Sequence, residues 1–464
     1  MLSDDALLAI FDFCVVEHHD FPVMVIGKRR VEWWQSLVHV CRRWRILVFG
    51  SPRRLNLQLH YMTGASARKA LDIWPALPLL IQDFVSETSV DNVVAILEHS
   101  NRIHQIYLKC LTTSQTEYEN VWAAMQVPFP ELTGLTLKSR SEAAPFLPDS
   151  FLGGSAPCLR SLELHAIPFP GLPILHLSAP HLVTLHLFRI PHSAYISPEA
   201  MATCLSVLTS LERLRLWFES PQSCPGQETR RPPPPTRSIL PALRNFWFKG
   251  TYEYSEDLVA GIDAPRCLQF STSFFNDIDF DTPRLMEFIS RTQSFKALDI
   301  VHVVFDSHAA WVELQSQASN RDFEKVTVGV SCRVPDGQLS FLAQICTSLH
   351  LFLTTENLYI YEHQFSLDWK YNIENAEWLN LLRPFTAVKD LYLSKQFAPR
   401  IAPALQELTG GRSTDVLPTV QNLFLKGFQP SESDQEIEGI RQFISARQLI
   451  NRPVAISDWE RTSR

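Results

Sequence analysis

The sequence predicts a mixed α/β protein in which a small α-helical module is followed by an irregular solenoid of repeated strand–helix units. Two observations carry this prediction. Residues 1–50 contain two short stretches whose apolar residues recur with helical spacing. Residues 51–464 return repeatedly to the pattern apolar-x-x-apolar-x-apolar, at intervals of roughly 25 to 34 residues over most of that length. This period is typical of a solenoid in which each unit contributes one strand and one helix.

The first helix of the module is predicted over Leu2–Phe11. Ser3 is a good N-cap, and the two aspartates after it place negative charge at the positive end of the helix dipole. The second helix is predicted over Trp34–Val48, with Ser51-Pro52 as its stop signal. Because a module of this size cannot cover both apolar stripes by itself, we expect part of this surface to contact a partner.

These stretches resemble the F-box, by which substrate receptors dock on the Skp adaptor of SCF-type (cullin-RING) ubiquitin ligases. The likeness rests on Leu-x-Asp-x-x-Leu-Leu-x-Ile-Phe over residues 2–11 and Val-Cys-Arg-Arg-Trp-Arg over residues 40–45. It covers about a tenth of the chain, and residues 50–57 and 74–79 are similar to the F-box families of mushroom-forming fungi. Two features depart from the motif, which usually opens Leu-Pro: Ser3 replaces the proline, and residues 15–32 form an insertion.

The resemblance implies two partners, a Skp-type adaptor and, through it, a cullin. It also implies which residues bind the adaptor: Leu2, Leu7, Leu8, Ile10, Phe11, Val38, Cys41, Trp44 and Leu47. Cys41 is expected to be a core thiol on the apolar face of the second helix.

The repeated pattern predicts parallel strands on a concave face with helices outside, such as those expected at 93–97 and 205–208. This arrangement resembles a leucine-rich repeat. An ordinary repeat has Asn or Cys three positions after its last leucine, and no such ladder occurs here, so the units are irregular. The clearest copies start at Ile103, Leu132, Leu159, Leu182, Leu211, Leu243, Phe295, Phe323, Val388 and Val420.

Several stretches are predicted to lie outside the regular repeats. The segment near 221–238 contains four consecutive prolines and is expected to be a proline-rich insertion. A loop is predicted at 410–414, an acidic solvated segment at 431–436 and a closing helix around 440–450. An extra copy of the pattern at 172–177 is either a short repeat or a loop.

Bulk properties limit the function classes. A hydrophobic fraction of 45% and a net charge of −7 do not indicate a nucleic-acid binder, and no apolar run is long enough to span a membrane. The nine cysteines form no Cys-x-x-Cys pair. Reduced thiols in the cytoplasm or nucleus are therefore expected.

The sequence contains no recognisable catalytic or metal-binding motif. The chain has 16 glycines and no phosphate-binding glycine loop, so no cofactor is expected. The best candidate for a set of metal ligands is formed by Cys14, His18, His19 and Asp20. No second pair of ligands is spaced to complete a tetrahedral site with them. We therefore expect neither a metal nor an active site in this chain.

The register of the repeat predicts which side chains point away from the core. Among these, five residues on two successive units form a cationic and aromatic patch that we expect to bind a protein substrate: Arg213, Arg215, Trp217, Trp247 and Lys249. Such a patch suits an acidic or phosphorylated segment with an apolar anchor. The alternative is that loops or the tail cover these side chains.

The leading functional hypothesis is therefore a substrate-recognition subunit of an SCF ubiquitin ligase. The alternative is a non-catalytic repeat scaffold without a ligase role. A hydrolytic enzyme with its active site in the repeat domain is a more distant third.

Overall fold

A computed structural model of the chain describes most of its length in two compact units, Met1–Ala194 and Tyr195–Arg464. Each unit contains a sheet of mainly parallel strands with helices packed beside it, and the second unit also contains a separate two-stranded sheet. The described residues are 2–13, 33–52, 54–55, 57–62, 71–72, 76–111, 114–140, 145–169, 179–223, 236–275, 282–316, 324–332, 335–348, 354–363, 373–408, 412, 414–426 and 438–459.

The first unit contains five helices and six strands among its described residues. The helices are α1 (Asp4–Asp12), α2 (Trp33–Val38), α3 (Arg42–Gly50), α4 (Val90–Leu97) and α5 (Gln115–Ala124). The strands are β1 (Leu59–Met62), β2 (Leu79–Val85), β3 (Ile103–Cys110), β4 (Gly134–Ser139), β5 (Ser161–His165) and β6 (Thr184–Ile190). All six strands are parallel and pair in chain order.

The helical module differs from the prediction in its second half. The single helix predicted over Trp34–Val48 is wrong, because a turn after Val38 separates α2 from α3. Val38 and Val40 are β-branched and favour such a break. The Arg45 side chain donates a hydrogen bond of 3.0 Å to the Val38 carbonyl, which satisfies one of the free carbonyls at the end of α2. Helix α1 begins as predicted, with Ser3 Oγ accepting a hydrogen bond from the Ala6 amide at 3.2 Å.

The predicted repeat register is observed in the first unit. Leu135 and Leu137 of β4 pair with Leu162 and Leu164 of β5, and all four side chains are buried. Their apolar side chains face inward because alternate residues of a strand point to opposite sides of the sheet. The intervening polar residues, such as Glu163, therefore form rows on the opposite face.

The second unit contains seven helices and twelve strands among its described residues. The helices are α6 (Pro198–Ser206), α7 (Tyr252–Gly261), α8 (Pro283–Arg291), α9 (Pro335–Ser348), α10 (Asn375–Leu382), α11 (Ala398–Gln406) and α12 (Glu438–Leu449). The first strands are β7 (Arg213–Phe218), β8 (Ser238–Ile239), β9 (Asn245–Gly250), β10 (Ile262–Asp263), β11 (Gln269–Phe275) and β12 (Ile300–Phe305). The remaining strands are β13 (Ala310–Gln315), β14 (Lys325–Ser331), β15 (Asn357–Glu362), β16 (Asp390–Leu393), β17 (Asn422–Leu425) and β18 (Ala455–Asp458).

The strand order of the second unit is reversed at one place. The order is β7-β9-β11-β14-β13-β12-β15-β16-β17-β18, so three strands appear in the opposite order to their sequence. Strand β13 is antiparallel to both of its neighbours, and the other pairings in this series are parallel. The expectation that successive copies at Phe295 and Phe323 supply neighbouring parallel strands is wrong, because β12 turns back at Asp306 into β13.

The stretches predicted to lie outside the repeats are described in part. The closing helix is confirmed as α12. Residues 221–223 form a short 3-10 turn and Ser238 begins β8, whereas 224–235 of the proline-rich insertion lie outside the described residues. The segments 15–32, 172–177, 410–411 and 431–436 also lie outside them.

Gly329 makes the insertion of β13 possible, which leads to a stability prediction. A Cβ atom at Gly329 would lie 2.8 Å from Trp311 Cβ and 3.0 Å from the Ala310 carbonyl oxygen. We expect Gly329→Val to lower the free energy of unfolding by about 1–3 kcal/mol, the usual cost of overpacking. Urea denaturation followed by circular dichroism measures this change.

Gly134 offers a matched control in a parallel strand. A Cβ atom there would lie 3.6 Å from Cγ of Gln105, which is an ordinary contact. Gly134→Ala should therefore leave stability within about 0.5 kcal/mol of the wild type. A Gly329→Val protein as stable as the wild type would contradict the close packing of β13 against β14.

Candidate functional site

The helical module buries some of the predicted adaptor-binding residues and exposes others. Leu7, Leu8, Phe11 and Val38 are buried inside the module, and Trp44 and Leu47 are half-buried. Exposed positions are occupied by Leu2, Ile10 and Cys41. The nine residues therefore divide between a core and a surface, a distinction that helical periodicity alone did not make.

Contacts within the first unit hold the module together and join it to the strands. The ring of Phe11 packs against Trp44 in an edge-to-face arrangement, with centroids 4.9 Å apart. Trp34 is fully buried, and its indole N–H donates a hydrogen bond of 2.9 Å to the Gln58 carbonyl. An ion pair of 3.1 Å between Arg54 and Asp12 adds an exposed link.

The exposed part of the module is unusually apolar. Leu2, Ile10, Val40 and Ile46 retain 45–61% of their surface, and Phe13 retains 91%. Exposed large apolar side chains are typical of interaction surfaces where they form one patch. Three of these residues, Val40, Ile46 and Phe13, were not among the predicted adaptor contacts.

One cysteine of the helical module is exposed where the sequence predicts burial. Cys41 is exposed at the N-cap of α3, so the expectation of a core thiol there is wrong. Cys110 and Cys267 are buried, and burial raises the pKa of each thiol to about 12. Because the thiolate is the reactive form, these two side chains serve packing.

The predicted substrate patch is contiguous in the second unit. Strands β7 and β9 pair in parallel, so Arg215 lies beside Trp247 and Trp217 lies beside Lys249. The Arg215 guanidinium lies 4.1 Å from the ring centroid of Trp247. Arg213 is exposed at the start of β7. Each cation of the central pairs therefore stacks on the aromatic ring of the neighbouring strand.

Lys249 is half-buried and lies against two aromatic rings. Its ammonium group lies 4.9 Å from the ring centroid of Trp217 and 5.8 Å from that of Phe275. Burial lowers the pKa of Lys249. Among the described residues, no carboxylate forms an ion pair with it.

A cleft of about 690 Å³ continues from this patch across β11, β14 and β13. Trp247 forms one side of the cleft, and Trp311 and Tyr361 line the other. Trp311 is not among the predicted outward residues, because the repeat pattern does not reveal β13. The hairpin could have been found from the alternating segments 300–305 and 310–315 on either side of a four-residue turn.

A ladder of stacked rings occupies the outward face beyond the cleft. His302, Tyr359, Tyr392 and Phe424 lie on successive strands, with centroid distances of 4.7, 4.1 and 4.4 Å. Trp459 packs against the two tyrosines of this ladder at 5.8 and 5.7 Å. The register of the repeat predicts an outward direction for Tyr359, Tyr392 and Phe424, as observed. For the copy starting at Phe295 it predicts Asp299 and not His302, because the β12 repeat begins at Leu298.

The outward face of the first unit carries a charged network. Lys138 contacts Glu163 at 2.7 Å, and the Nδ1 atom of His186 lies 3.9 Å from the same carboxylate. Burial raises the pKa of Glu163, but hydrogen bonds from His186 and Lys138 and their charges outweigh burial and lower it to about 2. The carboxylate therefore stays ionised and links β5 to the strands on both sides of it, β4 and β6.

Metal binding and membrane insertion find no support in the described part of the chain. No group of three or more His, Cys, Asp or Glu side chains there is placed to hold a metal ion. The cluster at Cys14, His18, His19 and Asp20 lies outside the described residues. None of the described helices combines the length and apolar character needed to cross a bilayer.

Comparisons with protein-family models and with curated proteins give no match to this chain. Among solved structures, the chain is similar to the leucine-rich repeat-containing protein LegL7 from Legionella pneumophila. The two share 11% identity with a TM-score of 0.30, over 83% of this chain and 97% of that one. A similarity this low carries no argument about function, and the mixed α/β fold rests on the strand pairings described above.

The network around Glu163 leads to a pH prediction. Because the folded pKa lies below the ordinary value of 4.5, the network stabilises the folded chain above that pH. This stabilisation disappears as the pH falls from 4.5 towards 2. We expect Glu163→Gln to lower the free energy of unfolding at pH 7 by on the order of 1 kcal/mol, after allowance for solvent screening. The difference should shrink towards pH 3 in urea denaturation.

An exposed carboxylate provides the control for this measurement. Glu98 lies at the end of α4 and forms no ion pair among the described residues. Glu98→Gln should leave the free energy of unfolding at pH 7 within about 0.5 kcal/mol of the wild type. If the free energies of unfolding of Glu163→Gln and wild type differ by the same amount at pH 3 and pH 7, the ionised network does not contribute as described.

Proposed function

We propose that this chain is a non-catalytic interaction protein, the substrate-recognition subunit of an SCF-type ubiquitin ligase. Its helical module docks a Skp-type adaptor, and its outward strand face holds a target protein. The observation that best supports adaptor docking is the exposed apolar surface of the module, at Leu2, Ile10, Val40 and Ile46. Such a surface is stabilised when a partner covers it.

The division within the module assigns two roles to the motif residues. Leu7, Leu8, Phe11 and Val38 shape the module because they are buried in its core. The exposed residues make the adaptor contact, together with the accessible part of Trp44. Removal of a core residue would therefore test folding, whereas removal of an exposed residue tests docking.

A ligase receptor needs surfaces and no catalytic group of its own. It places a target near the active sites of other proteins, and the resulting proximity accelerates transfer. The cationic and aromatic patch on β7 and β9 is the proposed target-binding surface. Aromatic and arginine side chains are the types that most often dominate binding energy in interfaces.

The adaptor contact can be tested with exposed residues alone. We expect the double variant Ile10→Asp, Val40→Asp to lose co-purification with a co-expressed Skp adaptor, because two carboxylates would have to be buried at the interface. Its circular dichroism spectrum should match that of the wild type, since both side chains are exposed. Quantitative pull-down, with at least about a tenfold loss of bound adaptor expected, gives the readout.

Val127 supplies a matched control, since it is an exposed apolar residue of the first unit outside the helical module. Val127→Asp should bind the adaptor like the wild type. Failure of the wild-type chain to bind the adaptor would overturn the docking role. Adaptor binding without recruitment of a cullin would overturn the ligase role and leave a repeat scaffold.

A further inference from the structure

The reversal of strand order creates a cleft on the outward face of the second unit. Small side chains, Ser271 on β11 and Thr327 on β14, form its floor. Trp247 stands on β9 at one side, and Trp311 stands on β13 at the other. Two strands separate these walls, so they are roughly 14 Å apart across the sheet.

The dimensions of the cleft fit an extended peptide. Its volume of about 690 Å³ lies within the ordinary range for ligand-binding clefts. Its lining runs along the strands from the level of Gln269 and Lys325 to that of Trp311. This span is five residues of strand, so about five extended residues of a second chain would match its length.

The charges around the cleft favour an anionic occupant. Glu313 is the carboxylate in the lining, and it is already paired with Lys325 at 2.6 Å and hydrogen-bonded to Gln315. The wall formed by Trp247 carries the Arg215 guanidinium, and Lys249 follows two residues later on the same strand. Although the chain has a net charge of −7, this edge of the cleft is positive.

We propose that the cleft binds an extended acidic segment of a target protein. An apolar side chain of the segment packs against Trp247 above the floor of the cleft, and a neighbouring carboxylate meets Lys249 at the β7–β9 edge. A basic segment would face Lys249 and Arg215 with like charge. This inference deepens the proposed function by naming the chemistry of the target, and it relies on that function only for the role of the bound segment.

Peptide selection on the purified full-length chain, without adaptor, tests this site. A random library of twelve-residue peptides displayed on phage is selected against the wild-type protein, and the enriched sequences are compared with the starting library. We expect enrichment of Asp and Glu together with at least one large apolar residue. The most enriched peptide is then labelled with fluorescein and its Kd is measured by fluorescence anisotropy.

Two variants locate the bound peptide. Ser271→Trp fills the floor of the cleft and should raise the Kd by at least about tenfold. Lys249→Met keeps the apolar stem, removes the charge and should raise the Kd by at least about fivefold. Lys109→Met is the matched control, because Lys109 lies 5.8 Å from the ring centroid of Phe84 in the first unit, the same distance as Lys249 from Phe275.

The outcomes separate this inference from the proposed function. Enrichment of basic or uncharged peptides, no enrichment, or acidic peptides that bind Ser271→Trp as tightly as wild type would each overturn the acidic-peptide site. These results do not bear on adaptor co-purification, since adaptor docking depends on the helical module. Acidic peptides that require the cleft in a chain that binds no adaptor would support the site and contradict the ligase role.

Discussion

The parallel pairing of neighbouring strands is the constraint on which both units depend. A strand such as β4 buries Leu135 and Leu137 on one face, and it cannot cover these side chains by itself. The next strand supplies an equivalent pair of leucines at the same level, and the two rows together exclude water. Each strand–helix repeat is therefore stabilised mainly by the repeats next to it in the sheet.

The same pairing also organises the outward face. Because the strands pair in register, side chains at equivalent positions of successive repeats form rows. Neighbouring positions within a row are about 4.8 Å apart. At this spacing flat rings can stack, as Tyr359 and Tyr392 do at 4.1 Å, and a lysine can lie over the ring on the next strand. The patch on β7 and β9 is one such row, so its contiguity follows from the repeat itself.

The sequence was sufficient to predict those features that depend on local alternation. The burial of the leucines and the outward direction of Arg215 and Trp247 follow from spacing within a single repeat. The reversed order of β12, β13 and β14 could not be predicted in this way, because strand order is decided by pairing between distant segments. The cleft beside Trp311 was missed for the same reason.

The helical module shows a different limit of pattern reasoning. Helical spacing marks a residue as apolar and one-sided, but it does not say whether that side faces the module or a partner. Phe11 and Ile10 are adjacent in the motif, yet Phe11 is fully buried and Ile10 keeps 45% of its surface. A small module needs some apolar residues to fold and others to dock, and the turn between α2 and α3 decides the role of residues on either side. Cys41 shows this most clearly, since the turn that separates the helices places it at an exposed N-cap, next to the exposed Val40.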